Sequence, residues 1–267
     1  MTRRIFAFGF VGAALVRAET PAERGKRIVA DTLQALGGDA FRTMRTRTES
    51  GRAYSFVREE LSGLALAKFY TKYLPPTGKD EVCQVQRQMY GKKEDDIVLV
   101  RADDAYELTF RGARPLAPDK LKQSRESTLH DVLYILRQRL GEPGISFEAS
   151  ADDVVENQPV HTLDIYDAAQ RRVTVWIHSS TGMPVKQRFY RIDPITKQKR
   201  EEITRLTKYR DVGNGAMWPY GIQRERDTEK LFELYSEHVK INEAIDEKLF
   251  ELPRGMKILP RGRALGS

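Results

Sequence analysis

The chain has 267 residues, 40% of them hydrophobic and 31% charged, a formal net charge of +7 and one cysteine, Cys83. A single cysteine excludes an internal disulfide, so stability must come from a packed core, and this length suffices for one undivided β domain. The charges are interspersed, as in Lys197-Gln-Lys-Arg200-Glu201-Glu202, which argues against a nucleic-acid surface and for a solvated, slightly basic one.

Met1-Thr2-Arg3-Arg4 leads into an apolar run from Ile5 to Val16, and Val16-Arg17-Ala18 supplies small or β-branched residues before a cut after Ala18. A positive start, a short apolar core and a small residue at the cut are the marks of a secretory signal peptide over residues 1–18. The run is shorter than the roughly 20 residues a bilayer span requires. Export to the periplasm follows as an expectation. Removing Arg3, Arg4 and Arg17 with the leader takes the charge from +7 to +4.

Thr20-Pro21-Ala22-Glu23 offers an N-cap, a proline at the first helical position and a capping-box glutamate. Ile28, Val29, Leu33 and Leu36 then recur at helical spacing up to Gly37-Gly38. A short helical turn is expected near Asp39 to Met44. From Thr46 the period becomes that of strands, with segments near 46–58, 63–73, 82–91, 96–102 and 105–110.

Residues 118–140 interrupt them with a predicted amphipathic helix. Leu129, Val132, Leu133, Leu136 and Leu140 form one apolar stripe, ended by Gly141 and Pro143. Such a helix inside a β chain must lie on a sheet face or plug a cavity mouth. Leu129, Val132, Leu133 and Leu136 are its candidate lid residues. Strands resume near 145–156, 159–167, 171–178, 183–191, 200–212, 217–227 and 230–241. No linker or repeat divides the chain, so one domain over 19–255 is expected, with a C-terminal tail over 256–267 that reads as solvated from Arg261 to Ser267.

If Asp167-Ala-Ala-Gln170 and Ser179-Ser-Thr-Gly182 close simple hairpins, His161 opposes Trp176 and Trp176 opposes Val185. One face then collects His161, Leu163, Ile165, Thr174, Trp176, Met183, Val185 and Phe189. The other carries Thr162, Asp164, Arg171, Lys186 and Arg188. The greasier face makes Leu163, Ile165, Trp176, Val185 and Phe189 the candidate cavity residues, with an ordinary core beneath the 118–140 helix as the alternative. A single bulge would swap the faces.

Catalytic signals are weak. The four histidines form no metal-binding spacing, the pairs Asp95-Asp96, Asp103-Asp104 and Asp152-Asp153 fall at predicted turns, and no nucleophile elbow, phosphate loop or dinucleotide fingerprint occurs. Cys83 reads as a small buried apolar residue. Neither a catalytic site, a metal nor a cofactor is expected.

The order of several loose elements resembles the periplasmic outer-membrane lipoprotein-sorting proteins, the LolA-like group. They are Val173-Thr-Val-Trp176-Ile-His178 followed by Ser179-Ser-Thr-Gly-Met-Pro184-Val, then Lys208-Tyr209-Arg210-Asp211-Val212 and Trp218-Pro219-Tyr-Gly-Ile222. The closing segment has Asn242, Asp246, Phe250 and Pro253 in the order of the family's last stretch. His178 stands where that family has an acid. The likeness spans about residues 20–253. It implies a mainly β (α+β) fold, an incomplete antiparallel β-barrel whose concave apolar face is covered by helices. It also implies a non-covalent carrier or chaperone for acyl chains of lipids or lipoproteins, with a membrane-bound donor or acceptor. A sensor or scaffold of the same fold working through protein partners is the second reading, and a hydrolase with a dispersed site the third.

Overall fold

The structure is a computed structural model and describes residues 18–79 and 81–261. The expected leader therefore lies almost wholly outside the described residues, as does the end of the expected tail.

The first helix, α1 (Pro21–Ala35), starts as its sequence dictates. Thr20 Oγ1 accepts from the Glu23 amide at 3.2 Å, and Glu23 Oε2 accepts from the Thr20 amide at 2.8 Å. It buries Ile28, Val29 and Thr32. Gly37, at φ 108°, turns the chain out of the helix, and a side chain there would meet the Gly215 carbonyl at 2.4 Å. Helix α2 (Asp39–Arg42) follows at once and buries Phe41.

Among the described residues, fourteen antiparallel strands make one open sheet. They are β1 (Thr46–Val57), β2 (Glu60–Tyr73), β3 (Gln84–Tyr90), β4 (Asp96–Val100), β5 (Ala105–Thr109) and β6 (Gly112–Pro115) before the helical insertion. After it come β7 (Ser146–Ala149), β8 (Asp153–Val155), β9 (Gln158–Tyr166), β10 (Arg172–His178), β11 (Pro184–Ile192), β12 (Lys199–Asp211), β13 (Met217–Arg226) and β14 (Glu229–Ile241). Spatial order is β6-β5-β4-β3-β2-β1-β14-β13-β12-β11-β10-β9-β7, with β8 pairing β9. The chain thus runs outward from β1 to one edge, crosses by the helices to the other edge, and returns until β14 closes beside β1. The result is a mainly β, incomplete barrel with helices on its concave side.

A bulge between Ser50 and Gly51 bends β1 against β14, and a Cβ at Gly51 would sit 2.1 Å from the Tyr235 carbonyl oxygen. The β1–β2 and β13–β14 hairpins turn on Arg58-Glu59 and Asp227-Thr228, all four residues at positive φ, as two-residue turns between twisted strands require.

The insertion is divided, against the single 118–140 helix expected. Helix α3 (Pro118–Leu129) ends at His130, and Asp131 caps a new start by accepting from the Tyr134 amide at 3.0 Å. Helix α4 (Val132–Tyr134) passes into a π-helical turn, Ile135–Arg139. The backbone groups freed at the break are taken by buried Gln187, which accepts from the Val132 amide at 2.7 Å and donates to the His130 carbonyl at 3.2 Å.

Two further departures concern the edges. The expected strand over 145–156 is split into β7 and β8 by the irregular stretch Ser150 to Asp152. Chain expected to leave the domain after residue 255 instead pairs with β6. The Ala113 amide donates to the Lys257 carbonyl at 2.9 Å and the Leu259 amide to the Ala113 carbonyl at 2.8 Å. Leu252 and Met256 cover the outer-face cluster of Leu99, Leu108 and Ala113.

Candidate functional site

The register of β9, β10 and β11 decides which predicted site residues share a face. Thr162, not His161, opposes Trp176, because the β9–β10 connection holds five residues rather than four between Tyr166 and Arg172. Asp167 builds that turn, accepting from the Ala169 and Arg171 amides at 3.0 and 3.1 Å. On the other side Trp176 opposes Lys186 while Ile177 opposes Pro184, so Val185 is the extra residue of a bulge. Pro184 has no amide hydrogen for the ladder, a reason for the slip at that point.

Two one-residue shifts return β11 to the phase of β9 and leave β10 out of step. Leu163, Ile165, Val173, Val175, Ile177 and Phe189 therefore share the concave side and sit in the main core with Val132, Leu133, Ile135 and Leu136. Trp176 belongs to the outer face, with Thr174. Its indole N–H donates to Asp153 Oδ2 at 3.0 Å, and Lys186 and Arg188 lie over its ring. Its placement in the cavity is thus corrected, and Val185 is a half-buried bulge residue. His161 and His178 point to opposite faces; His161 bonds Asp152 and His178 the Ser180 and Thr181 amides of its own turn.

The 118–140 stretch splits in role as well as in shape. Val132, Leu133 and Leu136 are 1–3% exposed and fill the core, so α4 and the π turn form a buried plug. Leu129 packs with Val82 and Tyr134 in a separate small cluster. The plug is tied to the loop before β3. Gln138 Nε2 donates to the Cys83 and Leu74 carbonyls at 2.9 and 3.1 Å, and the Cys83 amide donates to the Tyr134 hydroxyl at 2.6 Å. Cys83 is buried there. Helix α3 is different. It is half-exposed, buries only Leu129, and meets the sheet through polar pairs: Arg191 to Ser127 at 2.7 Å, Arg191 to Glu126 at 3.9 Å and Lys120 to Glu107 at 3.7 Å.

His130 marks the joint between these parts. It is 3% exposed and stacks on Phe189 with ring centroids 4.6 Å apart. Burial pushes its pKa down to about 4, the nearby Arg171 and Arg139 charges adding to the shift and Asp167 opposing it. His130 is therefore neutral when folded and charges more readily when unfolded. Its full contribution is present above about pH 6.5 and is lost as pH falls toward 4. Between pH 7 and 4.5 the wild type should lose about 2–3 kcal/mol more stability than His130→Phe, by the usual 1.36 kcal/mol per pKa unit. Urea unfolding at both pH values tests this; parallel losses would remove His130 as the cause.

The open space lies beside the plug, between α3 and the concave face of β1, β2, β3, β12, β13 and β14. Two adjoining cavities of about 470 and 330 Å³ share Arg47, Gln86, Gln88, Ser124, Ser127, Ile222 and Arg224 as lining. Small residues make the hollow possible: Ala53 pairs with Ala65, Gly51 with Ala67, and over them pack Phe69, Tyr90, Ile222, Phe232 and Leu234. The groove is more polar than the greasy cavity expected. Along β3 a chain of hydrogen bonds runs from Gln86 to Thr71 at 3.2 Å, Gln88 to Gln86 at 2.6 Å and Tyr90 to Gln88 at 3.0 Å. Arg47, 8% exposed, stacks 3.8 Å over Trp218, donates to the Tyr73 hydroxyl at 2.7 Å and lies 3.4 Å from Glu49. Arg191 and Arg226 share Glu202 at 3.1 and 2.7 Å. A broader hollow of about 850 Å³ opens elsewhere, between α2, the Leu74-Pro75-Pro76 loop and residues 242–247. No group of His, Cys, Asp or Glu among the described residues is arranged to hold a metal.

Of the groove's lining, Leu133 is the one residue among the sequence-based site candidates, while Trp218 and Ile222 belong to the segments that carry the family resemblance. The groove's signal was present in the alternation Gln84-Val-Gln-Arg-Gln88, which puts three glutamines on one face.

Solved structures share this architecture. A DUF1329 family protein from Desulfovibrio piger superposes with a TM-score of 0.59 at 12% identity, over 87% of this chain and 98% of that one. A putative outer membrane lipoprotein-sorting protein domain from Vibrio parahaemolyticus gives 0.54 at 14% identity, over 86% and 97%. A LolA superfamily protein from Nitrosomonas europaea gives 0.52 at 13%, over 84% and 96%. The fold is LolA-like. No family model and no curated protein matches the sequence itself. In this LolA-like half-barrel the closing residues that carried the sequence resemblance are structural. Asn242, at φ 58°, ends β14 and accepts from the Arg45 amide at 2.7 Å. Asp246 caps the following turn by accepting from the Lys248 amide at 3.0 Å, and Phe250 is buried.

Proposed function

We propose that this protein is an exported, periplasmic carrier that holds the acyl chains of lipids or lipoproteins non-covalently and passes them between membrane-bound partners. The observation that carries the reading is the groove between α3 and the concave sheet, apolar along Phe69, Ile222, Phe232 and Leu234 and polar along β3. Its cavities lie within the roughly 300–1,000 Å³ typical of ligand sites. The likeness to the Vibrio parahaemolyticus protein, a putative outer membrane lipoprotein-sorting protein domain, supports the same reading. Each buried methylene would contribute about 0.8 kcal/mol, so transfer needs only a receiver that buries the chain equally well. Catalysis has no part in this mechanism.

In it the lid is α3, which can lift by exchanging a few ion pairs and hydrogen bonds for water, while the plug stays in the core. Arg191 is the sheet's handle on α3. Native mass spectrometry of the protein purified from a periplasm, followed by extraction of retained small molecules, tests the proposal. Co-purifying acyl-bearing molecules are the expected result.

An empty protein that also refuses added lipids would favour the sensor or scaffold reading. One observation gives that reading substance. Leu64 and Leu66 on the outer face of β2, paired with Tyr54 and Arg52, are 61% and 48% exposed, and Val57 and Leu61 near the hairpin tip are 62% and 58% exposed.

A further inference from the structure

Resting on the carrier reading, we infer that the groove selects amphiphiles with an anionic headgroup, a phosphate or a carboxylate, and that Arg224 is the residue that binds it. Arg224 is exposed, lines both cavities and is the cation there that forms no ion pair with a carboxylate. It stands on the concave side of β13, opposite Phe232 of β14 and Thr204 of β12. Its guanidinium makes no hydrogen bond or ion pair among the described residues; it lies 5.9 Å from the Phe232 ring. The other cations of the groove are engaged. Arg47 has Glu49, Arg191 and Arg226 have Glu202, and Lys120 has Glu107.

Two buried atoms point the same way. Arg47 Nε and Arg191 Nε, on side chains 8% and 6% exposed, make no hydrogen bond, although each lies near its carboxylate. Glu49, Glu202 and Asp131 are the lining carboxylates, and Glu107 and Glu126 pair with Lys120 and Arg191 from just outside the lining, which leaves Arg224 as the lining cation without an ion pair. Asp131, at the start of the plug, spends one oxygen on the Tyr134 amide and feels the Arg224 charge without forming an ion pair with it.

An arginine free of carboxylate partners at the junction of two cavities can offer a two-pronged donor to phosphate or carboxylate oxygens. Ile222 precedes it by two residues on the same strand face, and Phe232 and Leu234 lie across on β14, so a tail leaving the headgroup meets apolar surface at once. A neutral amphiphile would use the apolar part and leave the guanidinium to water.

Competition against the neutral fluorophore N-phenyl-1-naphthylamine tests this with four ligands of one chain length: dodecyl phosphate, dodecanoate, dodecanol and dodecyltrimethylammonium. The anionic pair should displace the probe at concentrations about tenfold or more below dodecanol, as a charge-assisted pair in a partly wet site provides, and the cation should bind worst. Arg224→Gln should bring the anionic pair to the level of dodecanol while leaving dodecanol unchanged. Arg52→Gln, which removes an outer-face charge paired with Glu237 at 3.2 Å, should leave the preference intact. Preference for the phosphate over the carboxylate would assign a phosphorylated lipid, and the reverse a fatty acid. Equal affinity of anionic and neutral ligands, or a preference that survives Arg224→Gln, would overturn the inference while the carrier reading stands. Failure of the probe and of every amphiphile to enter would remove both.

Discussion

Arg139→Met should destabilise the protein by about 3–5 kcal/mol, the usual cost of leaving buried carboxylates without their cation. Arg139 is 3% exposed at the end of the π turn and donates to both oxygens of Glu142 at 2.6 and 2.7 Å, to the Leu129 carbonyl at 2.6 Å and to Asp167 at 3.4 Å. It therefore joins the plug, the end of α3 and the β9–β10 turn in one network. Burial alone would push the Asp167 carboxyl up. Hydrogen bonds from Arg171, with the charges of Arg171 and Arg139, outweigh burial and hold it below the usual carboxylate range. The Met side chain fills similar volume, so the loss is electrostatic rather than a cavity. In urea unfolding the midpoint should fall with little change in slope. Arg139→Met/Glu142→Gln should recover part of the loss, because one buried charge is then gone. A single-variant loss under about 1 kcal/mol would show that water reaches these carboxylates and that the network is not a closed one.

Strand positions were legible in the sequence because alternation and turn residues act locally. The capping box at Thr20 and Glu23, and the order of elements up to Phe250, likewise depend on near neighbours in the chain. Face assignment failed at Trp176 because it depends on the parity of two connections. Asp167 spends its side chain on a five-residue turn, and Pro184 cannot take a place in the ladder, so each connection shifts by one. The break at His130-Asp131 had a local signal, an Asp three residues before Tyr134. The apolar stripe hid it, since the stripe counts spacing and not the caps that interrupt it. The groove was hidden for a different reason. The N-terminal strands bury residues on both faces, Leu99 and Leu108 beneath Leu252 and Met256 outside, Phe69 and Ala53 inside. Alternation alone cannot tell which of two covered faces is concave. Arg224 gave no signal at all, because its importance lies in the partner it lacks.

Leu136→Ala should cost about 2–5 kcal/mol, as expected for truncating a fully buried leucine, while Ser127→Ala should cost under about 1 kcal/mol. The contrast follows from the division of the 118–140 stretch. Leu136 is 1% exposed in the main core, whereas Ser127 on half-exposed α3 only receives a hydrogen bond from Arg191. Ligand uptake should reverse the order. Loosening α3 changes the rate at which the probe enters, and a folded Leu136→Ala protein keeps its groove because Leu136 does not line it. Native-state hydrogen exchange reads the same division directly. Amides of α3 should exchange through local opening at low free energy, while those of Ile135 to Arg139 exchange only near the global unfolding limit. Equal protection across both parts would mean that the stretch moves as one body. The lid would then have to carry the plug with it, at the cost of exposing Val132, Leu133 and Leu136 to water. That cost would be several kcal/mol by the same burial that makes Leu136→Ala expensive, too much for a joint that opens each time a ligand enters.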